Sequence, residues 1–436
     1  MPRIHVPALA VLALATAACA DSAVTGAAPD RTPVAAAPSR APEQVMPGEV
    51  LVKFKPGADF NRVSAAHGLR LSRSGYKNAF EVLQVAVGNE RAAAAELAAD
   101  PRVEWAEPNY LRQATAINPN LWAFFNPGGL NMKYSSGGSK GQPIGASNAS
   151  IADADMDNIE AYAAGGADVV IGSIDTGVDL THVEFTGRLI AGQDWYNNDA
   201  DPTDDDGHGS HTTGTMAGTT VGVAGVSGAA PHVKVYVQKV CGRRGCPTSA
   251  IVSAIRAAAD YPNLVAMNLS LGGSSESQAE KDAIAYATSK NVLVIASAGN
   301  AGTGTVECPA CDPNAISVSS TTWRDVLASY SSYGPGLDIS APGGLCYSNT
   351  TPEGCIYSAY KGGGYAWLQG TSMAAPQVTG TAAIVASVTG LRGSALRTRI
   401  LSTADDLGAA GTDNTFGAGR VNAYRAVTGS TLAAGL

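Results

Sequence analysis

Short, almost wholly apolar segments alternate with helix-forming segments through the larger part of the chain, and this alternation restricts the possible folds more than any other feature. The apolar segments are residues 169–174, 233–240, 264–271, 292–296 and 315–318. Helices are predicted at 249–260, 277–290, 372–387 and 394–403. Strands that are buried on both faces and separated by helices are typical of an α/β fold. The sequence therefore predicts a doubly wound, mostly parallel sheet with helices on both faces.

The segment before this sheet, residues 46–112, has a different organisation. Strands are predicted at 50–55, 80–87 and 103–106, and helices at 59–67 and 90–99. These three strands and two helices are interpreted as the β-α-β-β-α-β order of a small ferredoxin-like α+β domain, with one strand of that order not located. A domain of about 65 residues folds alone only marginally, which suits a segment that is later discarded.

The first 45 residues are interpreted as export and linker sequence. The apolar segment at 6–18 is too short to span a bilayer, so residues 1–20 are predicted to be a signal peptide. Lipidation of Cys19 is the alternative, although the residues before it form an imperfect lipobox. Residues 21–45 are rich in Ala and Pro and are interpreted as a solvated linker. We therefore expect a secreted protein, with a lipid-anchored one as the alternative.

The net charge and the cysteine content restrict the possible class of protein further. The formal net charge of −8 argues against a nucleic-acid partner. Apart from Cys19, the cysteines are Cys241, Cys246, Cys308, Cys311, Cys346 and Cys355. They fall in three close pairs, which suggests disulfides at 241–246, 308–311 and 346–355, although other connectivities are open. A zinc site at Cys308 and Cys311 is the alternative, but no histidine lies nearby in the sequence.

Four polar residues lie at predicted strand or helix ends. Asp175 and Asn300 follow apolar strands, His208 lies between two glycines, and Ser372 opens a helix. Each alone has an ordinary structural explanation as a turn, cap or packing residue. Together they supply what acyl transfer needs: Ser372 attacks, His208 accepts its proton, and Asp175 fixes the imidazole tautomer. The Ser372 backbone N–H and the Asn300 side chain would bind the oxyanion. His211 shares the start of the His208 helix, so one imidazole is expected to face the site and the other to pack.

Three motifs carry a resemblance to a known family. They are Asp175-Thr176-Gly177, Gly207-His208-Gly209-Ser210-His211 and Gly370-Thr371-Ser372-Met373-Ala374-Ala375-Pro376. With these motifs in the order Asp, His, Ser, the chain resembles the subtilisin-like serine peptidases, or subtilases. That family usually has Thr where Ser210 stands and His where Gln377 stands. The resemblance covers the chain from 46 to about 427.

The resemblance implies a role for each segment. The implied catalytic residues are Asp175, His208, Ser372 and Asn300, in a peptidase domain at 117–427 with a tail at 428–436. The implied substrate-binding residues are Ser270, Leu271, Gly272, Ser297, Ala298 and Gly299. The domain at 46–112 resembles the subtilase inhibitory propeptide, including its Glu107-Pro108 ending. The implied protein is a secreted, monomeric serine endopeptidase made as a zymogen, which cuts protein and peptide substrates and removes its own propeptide near residues 112–117.

No cofactor is implied for catalysis, but a structural metal is. The acidic segment 194–206 suits Ca²⁺, with Asp194, Asp199 and Asp201 as ligands, and related enzymes bind calcium in this loop. A solvated acidic loop is the alternative reading of that segment. Glu307 aligns loosely with the floor of the family's primary pocket, where an acid would favour a basic residue before the scissile bond.

Two other functions stay open from the sequence. One is a metal-dependent hydrolase using His208, His211 and the nearby aspartates, which would leave Ser372 and Asn300 without roles. The other is a non-catalytic binding protein on the same scaffold.

Overall fold

The computed structural model describes residues 45–114, 166–227, 229–322, 325–346 and 354–429. The predicted signal peptide, Cys19, nearly all of the linker and residues 430–436 lie outside the described residues. Those predictions, and the predicted domain boundaries, stay predictions. Within the described ranges, no helix combines the length and the apolar character that a membrane crossing requires.

The small N-terminal domain has the β-α-β-β-α-β order predicted from the sequence. Its elements are β1 (Val45–Phe54), α1 (Phe60–Ala66), β2 (Arg70–Ser74), β3 (Glu81–Gln84), α2 (Glu90–Ala98) and β4 (Val103–Ala114). The strands form an antiparallel sheet in the order β2-β3-β1-β4. Its apolar core includes Val50, Val52, Leu83 and Leu97.

Strand β4 is longer than the strand predicted at 103–106 and continues to Ala114. Its last residues pair with two short strands of the large domain, β8 (Cys246–Pro247) and β10 (Leu271–Gly272). These hydrogen-bond partners are distant in sequence, so no local pattern marks where this strand ends.

The large domain is built on a parallel sheet, as predicted. The strands are β5 (Val169–Asp175), β6 (Leu189–Asp194), β7 (Val233–Lys239), β9 (Leu264–Leu269), β11 (Leu293–Ser297), β12 (Ala315–Thr321) and β13 (Ile339–Pro342). In the described residues they pair in the order β13-β12-β11-β9-β5-β7-β6, and each pair is parallel. Strand β7 lies next to the edge and exposes Lys234, so the prediction that it is buried on both faces is wrong at that residue.

Helices cover both faces of this sheet. They are α3 (His208–Ala217), α4 (Val223–Val226), α5 (Thr248–Ala259), α6 (Gln278–Ser289), α7 (Thr371–Thr389), α8 (Gly393–Ser402) and α9 (Ala423–Thr428). One apolar core contains residues of α3, α7 and α8, and a second contains residues of α5 and α6. A hairpin of β14 (Ile356–Tyr360) and β15 (Gly364–Leu368) packs against α3.

Helix α7 is buried over most of its length and passes close to its neighbours because its residues are small. A Cβ atom on Gly380 would lie 2.7 Å from the Met216 carbonyl oxygen and from Val223 Cβ. A side chain at this position would therefore push the helix away from α3 and α4.

Pro376 lies inside α7. A proline has no N–H to donate to the carbonyl four residues earlier, which here is that of Ser372. The Ser270 hydroxyl donates to this carbonyl instead, at 2.7 Å. This hydrogen bond thus ties the backbone of Ser372 to the segment that follows β9.

Candidate active site

A buried carboxylate and a buried imidazole meet at the carboxyl edge of the sheet. Asp175 is the last residue of β5, and His208 is the first residue of α3. His208 Nδ1 lies 2.7 Å from Asp175 Oδ1, and both residues are at most 2% exposed. Asp175 also accepts hydrogen bonds from the Thr176 N–H at 2.7 Å and from the Thr212 hydroxyl at 3.0 Å. These contacts fix the carboxylate in the orientation that the imidazole needs.

The surroundings of His208 favour its protonated form. Burial opposes the charge, but Asp175, Asp206 and Asp204 outweigh burial, so the pKa of His208 is raised above its ordinary value. The buried Nε2 atom has no hydrogen-bond partner within the described residues. A ring with one nitrogen held by a carboxylate and the other unpaired is arranged to exchange a proton at Nε2.

His211 is the packing histidine of the pair, as one of the two was expected to be. Its Nε2 atom lies 3.0 Å from the Ile356 carbonyl oxygen and 3.2 Å from that of Ala366. Burial lowers the pKa of His211 to about 3, so the ring is neutral and donates to the β14–β15 hairpin. The metal-hydrolase reading, which needs His208 and His211 as ligands together, has no support in this arrangement.

The turn before His208 is fixed by Asp204, whose role the sequence analysis missed. Its carboxylate accepts hydrogen bonds from the N–H groups of Gly207 and Ser210, both at 2.8 Å, and from the Ser210 hydroxyl at 2.6 Å. Carboxylates are favourable at helix N-termini because they accept from N–H groups that lack helical partners. The sequence signal is an Asp four residues before the first residue of the helix.

Lys239 is a second residue that the sequence analysis did not single out. It ends β7 beside Asp175, and it is only 2% exposed. Its Nζ donates to the Thr176 carbonyl at 2.8 Å and to Asp205 at 2.7 Å. A buried ammonium group is stable only when paired in this way. It joins the loop after β5 to the acidic loop before α3.

Ser372 and Asn300 lie together at the start of α7. Ser372 is the second residue of the helix and is fully buried, and its Oγ lies 3.4 Å from the Ser270 carbonyl oxygen. Asn300 Oδ1 accepts from the Thr371 N–H at 2.9 Å and the Thr371 hydroxyl at 3.0 Å. Because the oxygen of the amide binds Thr371, its NH₂ group points away from that residue. The N–H of Gly299 donates to the Thr371 hydroxyl at 3.2 Å, which holds the predicted substrate-binding residues Ser297, Ala298 and Gly299 against the helix.

The last residues of β4 run along the other predicted substrate-binding segment. Gln113 pairs antiparallel with Gly272, and Ala114 with Leu271. Ser270 immediately precedes Leu271 in that segment, and it contacts Ser372. The small domain thus sends an extended strand to the position of the serine, where a peptide substrate would be expected to bind.

Polar side chains of the small domain cap two helices of the large domain. Glu107 accepts from the N–H groups of Gln278 at 2.9 Å and Ala279 at 3.1 Å, at the start of α6. Asn109 donates to the Ser249 hydroxyl at 2.8 Å and accepts from the Ser249 N–H at 3.0 Å, at the start of α5. These contacts complete the N-termini of two helices of the large domain with side chains of the small domain.

Binding of the small domain to the large domain is expected to depend on pH through Glu107. Burial raises the pKa of this carboxyl from 4.5 to about 7; the two N–H groups oppose the shift and Glu280 adds to it. A carboxyl with a raised pKa stabilises the complex fully below its free pKa, and this contribution is lost as pH rises through 7. The dissociation constant of the complex of cleaved small domain and large domain should therefore rise on the order of 50-fold between pH 5 and pH 8.

The measurement is size-exclusion chromatography at each pH of the chain after it has been cut between the two domains, which reports the fraction of the small domain that is still bound. Glu107→Gln keeps an oxygen that accepts from α6 but does not titrate, so its dissociation constant should change little over this range. Equal pH dependence in both proteins would show that another group controls release.

The residues predicted to bind calcium accept hydrogen bonds from neighbouring groups of the acidic loop. Asp194 is buried and accepts from the N–H and side chain of Asn197, while Asp199 and Asp201 accept from nearby backbone N–H groups. Among the described residues, no three His, Cys, Asp or Glu side chains are grouped to hold a metal ion. The geometry therefore gives the calcium prediction no support, and it stays a prediction.

All three predicted cysteine pairs are disulfides. The bonds join Cys241 to Cys246, Cys308 to Cys311, and Cys346 to Cys355. The alternative of a zinc site at Cys308 and Cys311 is wrong because both sulfur atoms are in a disulfide.

Comparisons with known proteins show the family to which the chain belongs. A sequence profile of the subtilase family matches residues 166–419, and a profile of the fervidolysin N-terminal prodomain matches residues 31–109. The chain is 36% identical over 396 residues to a thermophilic serine proteinase of Bacillus sp. (strain AK1), covering 87% of each chain. It is 38% identical over 263 residues to thermitase of Thermoactinomyces vulgaris, covering 60% of this chain and 89% of that one.

A solved structure shares the fold. Fervidolysin from Fervidobacterium pennivorans, described as a keratinolytic enzyme related to subtilisin, superposes with a TM-score of 0.67 at 23% identity. The match covers 88% of this chain and 61% of that one, and at this identity it shows the fold alone.

The fold and the matches define a serine-type endopeptidase with an N-terminal prodomain. The chain belongs to the subtilase family.

Proposed function

We propose that this subtilase is a secreted zymogen in which Asp175, His208 and Ser372 form the catalytic triad. The observation that carries the proposal is the buried hydrogen bond between His208 and Asp175 at the sheet edge where β4 arrives beside Ser372. The Nε2 atom of His208 is buried and has no hydrogen-bond partner within the described residues, which suits an atom that accepts a proton during the reaction.

Hydrolysis follows from these positions. With its Nδ1–H donated to Asp175, His208 has a lone pair on Nε2 and accepts the proton of Ser372 Oγ as that oxygen attacks the peptide carbonyl. Asp175 stabilises the imidazolium, which then protonates the leaving amine as the C–N bond breaks. Water, deprotonated by the same imidazole, cleaves the acyl ester and returns the hydroxyl to Ser372.

The oxyanion that forms during attack is stabilised by two donors. The N–H of Ser372 lies at the N-terminus of α7, where backbone donors favour negative charge. The amide of Asn300 is held by Thr371 so that its NH₂ group points away from that residue. We assign this NH₂ group to the oxyanion.

Asn300→Ala is expected to lower kcat by about 10²- to 10³-fold with little change in KM, because the donor acts mainly on the transition state. Asn300→Asp is the matched variant, since it keeps the oxygen that accepts from Thr371 and lacks the NH₂ donors. Both variants should lose activity similarly in steady-state peptide hydrolysis. Full activity in Asn300→Asp would remove the amide from the mechanism.

The arrival of β4 at Ser372 also supports removal of the prodomain by the enzyme itself. We place the cut near residues 112–117, where the chain passes the serine. Until release, β4 occupies the backbone positions that a substrate needs, so the prodomain acts as an intramolecular inhibitor.

Inhibitors distinguish the proposed serine-dependent hydrolysis from a metal-dependent one. Phenylmethylsulfonyl fluoride should abolish casein hydrolysis and add one sulfonyl group to the peptide that contains Ser372. EDTA alone does not decide the question, because it could remove a structural ion. Loss of activity with EDTA, together with full activity and no label after the sulfonyl fluoride, would contradict the proposal.

Secretion rests on the sequence of residues 1–20 and needs its own test. Expression in a bacterial host followed by mass spectrometry of the exported protein should show cleavage after Ala20. A diacylglyceryl group on Cys19 would instead establish the lipid-anchored form.

A further inference from the structure

Tyr330 places a buried hydroxyl group behind the start of α7. The residue as a whole is partly exposed, but its hydroxyl end is buried. The hydroxyl donates to the carbonyl oxygens of Gly343, at 3.0 Å, and Gly344, which share its single hydrogen. The Ser320 hydroxyl lies 2.8 Å away and can donate to it in turn. Both the donor and the acceptor capacity of the Tyr330 hydroxyl are therefore used.

The Gly343 carbonyl that Tyr330 binds also holds the residue that precedes the helix. The N–H of Gly370 donates to this carbonyl at 3.0 Å. A Cβ atom placed on Gly343 would lie 2.4 Å from the Gly370 carbonyl oxygen, so the two glycines are in close backbone contact. Gly370 is the N-cap of α7, and Thr371 is its first residue. A movement of Gly343 would therefore be passed directly to the start of the helix.

The backbone of the same segment holds the loop that carries Asn300. The Tyr330 carbonyl accepts from the N–H of Gly302 at 2.7 Å, and the N–H of Ser332 donates to the Gly299 carbonyl at 2.9 Å. These bonds fix the chain on both sides of Asn300. The hydroxyl of Tyr330 meanwhile supports the helix start, whose first residue binds the amide oxygen of Asn300.

The hydroxyl of Tyr330 keeps its proton far into the alkaline range. Burial raises its pKa, and the Ser320 hydroxyl and the Gly370 N–H oppose this rise without cancelling it. The group can therefore donate to the Gly343 carbonyl at every pH at which peptide hydrolysis would be measured.

We propose that the Tyr330 hydroxyl is a positioning group that sets the direction of the Asn300 amide in the oxyanion site. The proposal rests on the function proposed above, because it concerns the NH₂ group that we assign to the oxyanion. Tyr330 acts through Gly343 and Gly370, so it is a positioning residue and not a catalytic one. Without the hydroxyl, the two glycine carbonyls lose their donor and the helix start can shift. A small displacement of a preorganised donor weakens binding of the transition state more than binding of the substrate.

The test is steady-state peptide hydrolysis by the purified enzyme carrying Tyr330→Phe, which removes one oxygen and keeps the ring. We expect kcat to fall about 5- to 30-fold, with KM changing less than about twofold, because the amide acts mainly on the transition state. An unchanged kcat, or a change in KM alone, would overturn the assignment.

A double-mutant cycle shows whether the hydroxyl acts through the amide. Asn300→Ala removes the group that Tyr330 is proposed to position. In that background, Tyr330→Phe should lower kcat by less than about twofold. A loss as large as that in the wild-type background would show that Tyr330 supports the fold in general, and the positioning role would be wrong.

The matched control is Tyr261→Phe, which removes a hydroxyl group remote from the catalytic residues. Tyr261 precedes β9, at the opposite edge of the sheet, and stacks on Tyr236 with ring centroids 4.2 Å apart. This variant should keep the wild-type kcat and KM. An equal loss of kcat in Tyr261→Phe would show that the effect at Tyr330 is not specific to the oxyanion site.

Ser372→Ala distinguishes a failure of this inference from a failure of the proposed function. An inactive Ser372→Ala variant together with a fully active Tyr330→Phe variant would overturn the positioning role and leave the proposed function intact. A Ser372→Ala variant with the wild-type kcat would overturn the proposed function and this inference with it.

Discussion

Replacing Ser372 with alanine is expected to lower peptide-bond hydrolysis on the order of 10⁶-fold, because the variant has no oxygen to form the acyl-enzyme. The same change should block self-processing, so the purified variant should keep the prodomain covalently attached. Intact mass and casein hydrolysis, measured on the same sample, report the two effects together. The fold should persist, because the hydroxyl contacts the Ser270 carbonyl only at 3.4 Å and the hydrogen bond to the Ser372 carbonyl remains.

The matched control is Ser387→Ala, near the other end of α7. Its hydroxyl donates to the Ala167 carbonyl, far along the helix from the catalytic groups. This variant should mature and cut casein at the wild-type rate. A Ser372→Ala protein that matures and cuts casein as fast as the wild type would remove Ser372 from the mechanism.

Asp175→Asn is expected to lower kcat/KM by about 10⁴-fold while the protein folds normally. An amide next to His208 can donate its NH₂ group to Nδ1, which leaves the ring proton on Nε2, the wrong nitrogen for accepting the Ser372 proton. Since Asp175 is the strongest of the influences that raise the pKa of His208, this pKa should also fall. The lower limb of the pH–rate profile should therefore move to lower pH.

Asp168→Asn provides the comparison, because Asp168 precedes the opposite end of β5 and its side chain is 70% exposed beside His232. Its pH–rate profile should match the wild type. If Asp175→Asn kept both the wild-type rate and the wild-type profile, Asp175 would have no part in orienting or charging His208.

The parallel sheet could be predicted from the sequence because its central strands are apolar on both faces. Strands β5, β9, β11 and β12 are buried throughout and lie near their predicted positions. The edge strands β6 and β13 were missed, since strands with fewer neighbours lack that continuous apolar pattern.

The position of Asp175, His208 and Ser372 could be predicted because each follows a strand or opens a helix, where parallel topology gathers polar groups. The difference between His208 and His211 could not, since both lie in one turn of α3. It depends on the carbonyls of Ile356 and Ala366, which come from a hairpin about 150 residues later in the sequence.

Contacts between the two domains also could not be predicted from local sequence patterns. Glu107 was noted only as part of a motif, and its binding to the α6 N-terminus depends on how two separately folded segments meet. The length of β4 has the same origin, because residues 111–114 take their partners from strands of the large domain.

The pairing of β4 with β8 and β10 has a consequence for which proteins can be degraded. A chain that replaces β4 must present several consecutive residues in extended form, with N–H and C=O groups turned outward to those two strands. A residue inside a helix of a folded target already uses these groups within its own helix. Cleavage of folded targets should therefore begin in loops and termini, and elsewhere its rate should follow the free energy of local opening of the target. Mild warming or low denaturant that loosens a target, while leaving the enzyme folded, should then accelerate its degradation more than that of an unstructured peptide.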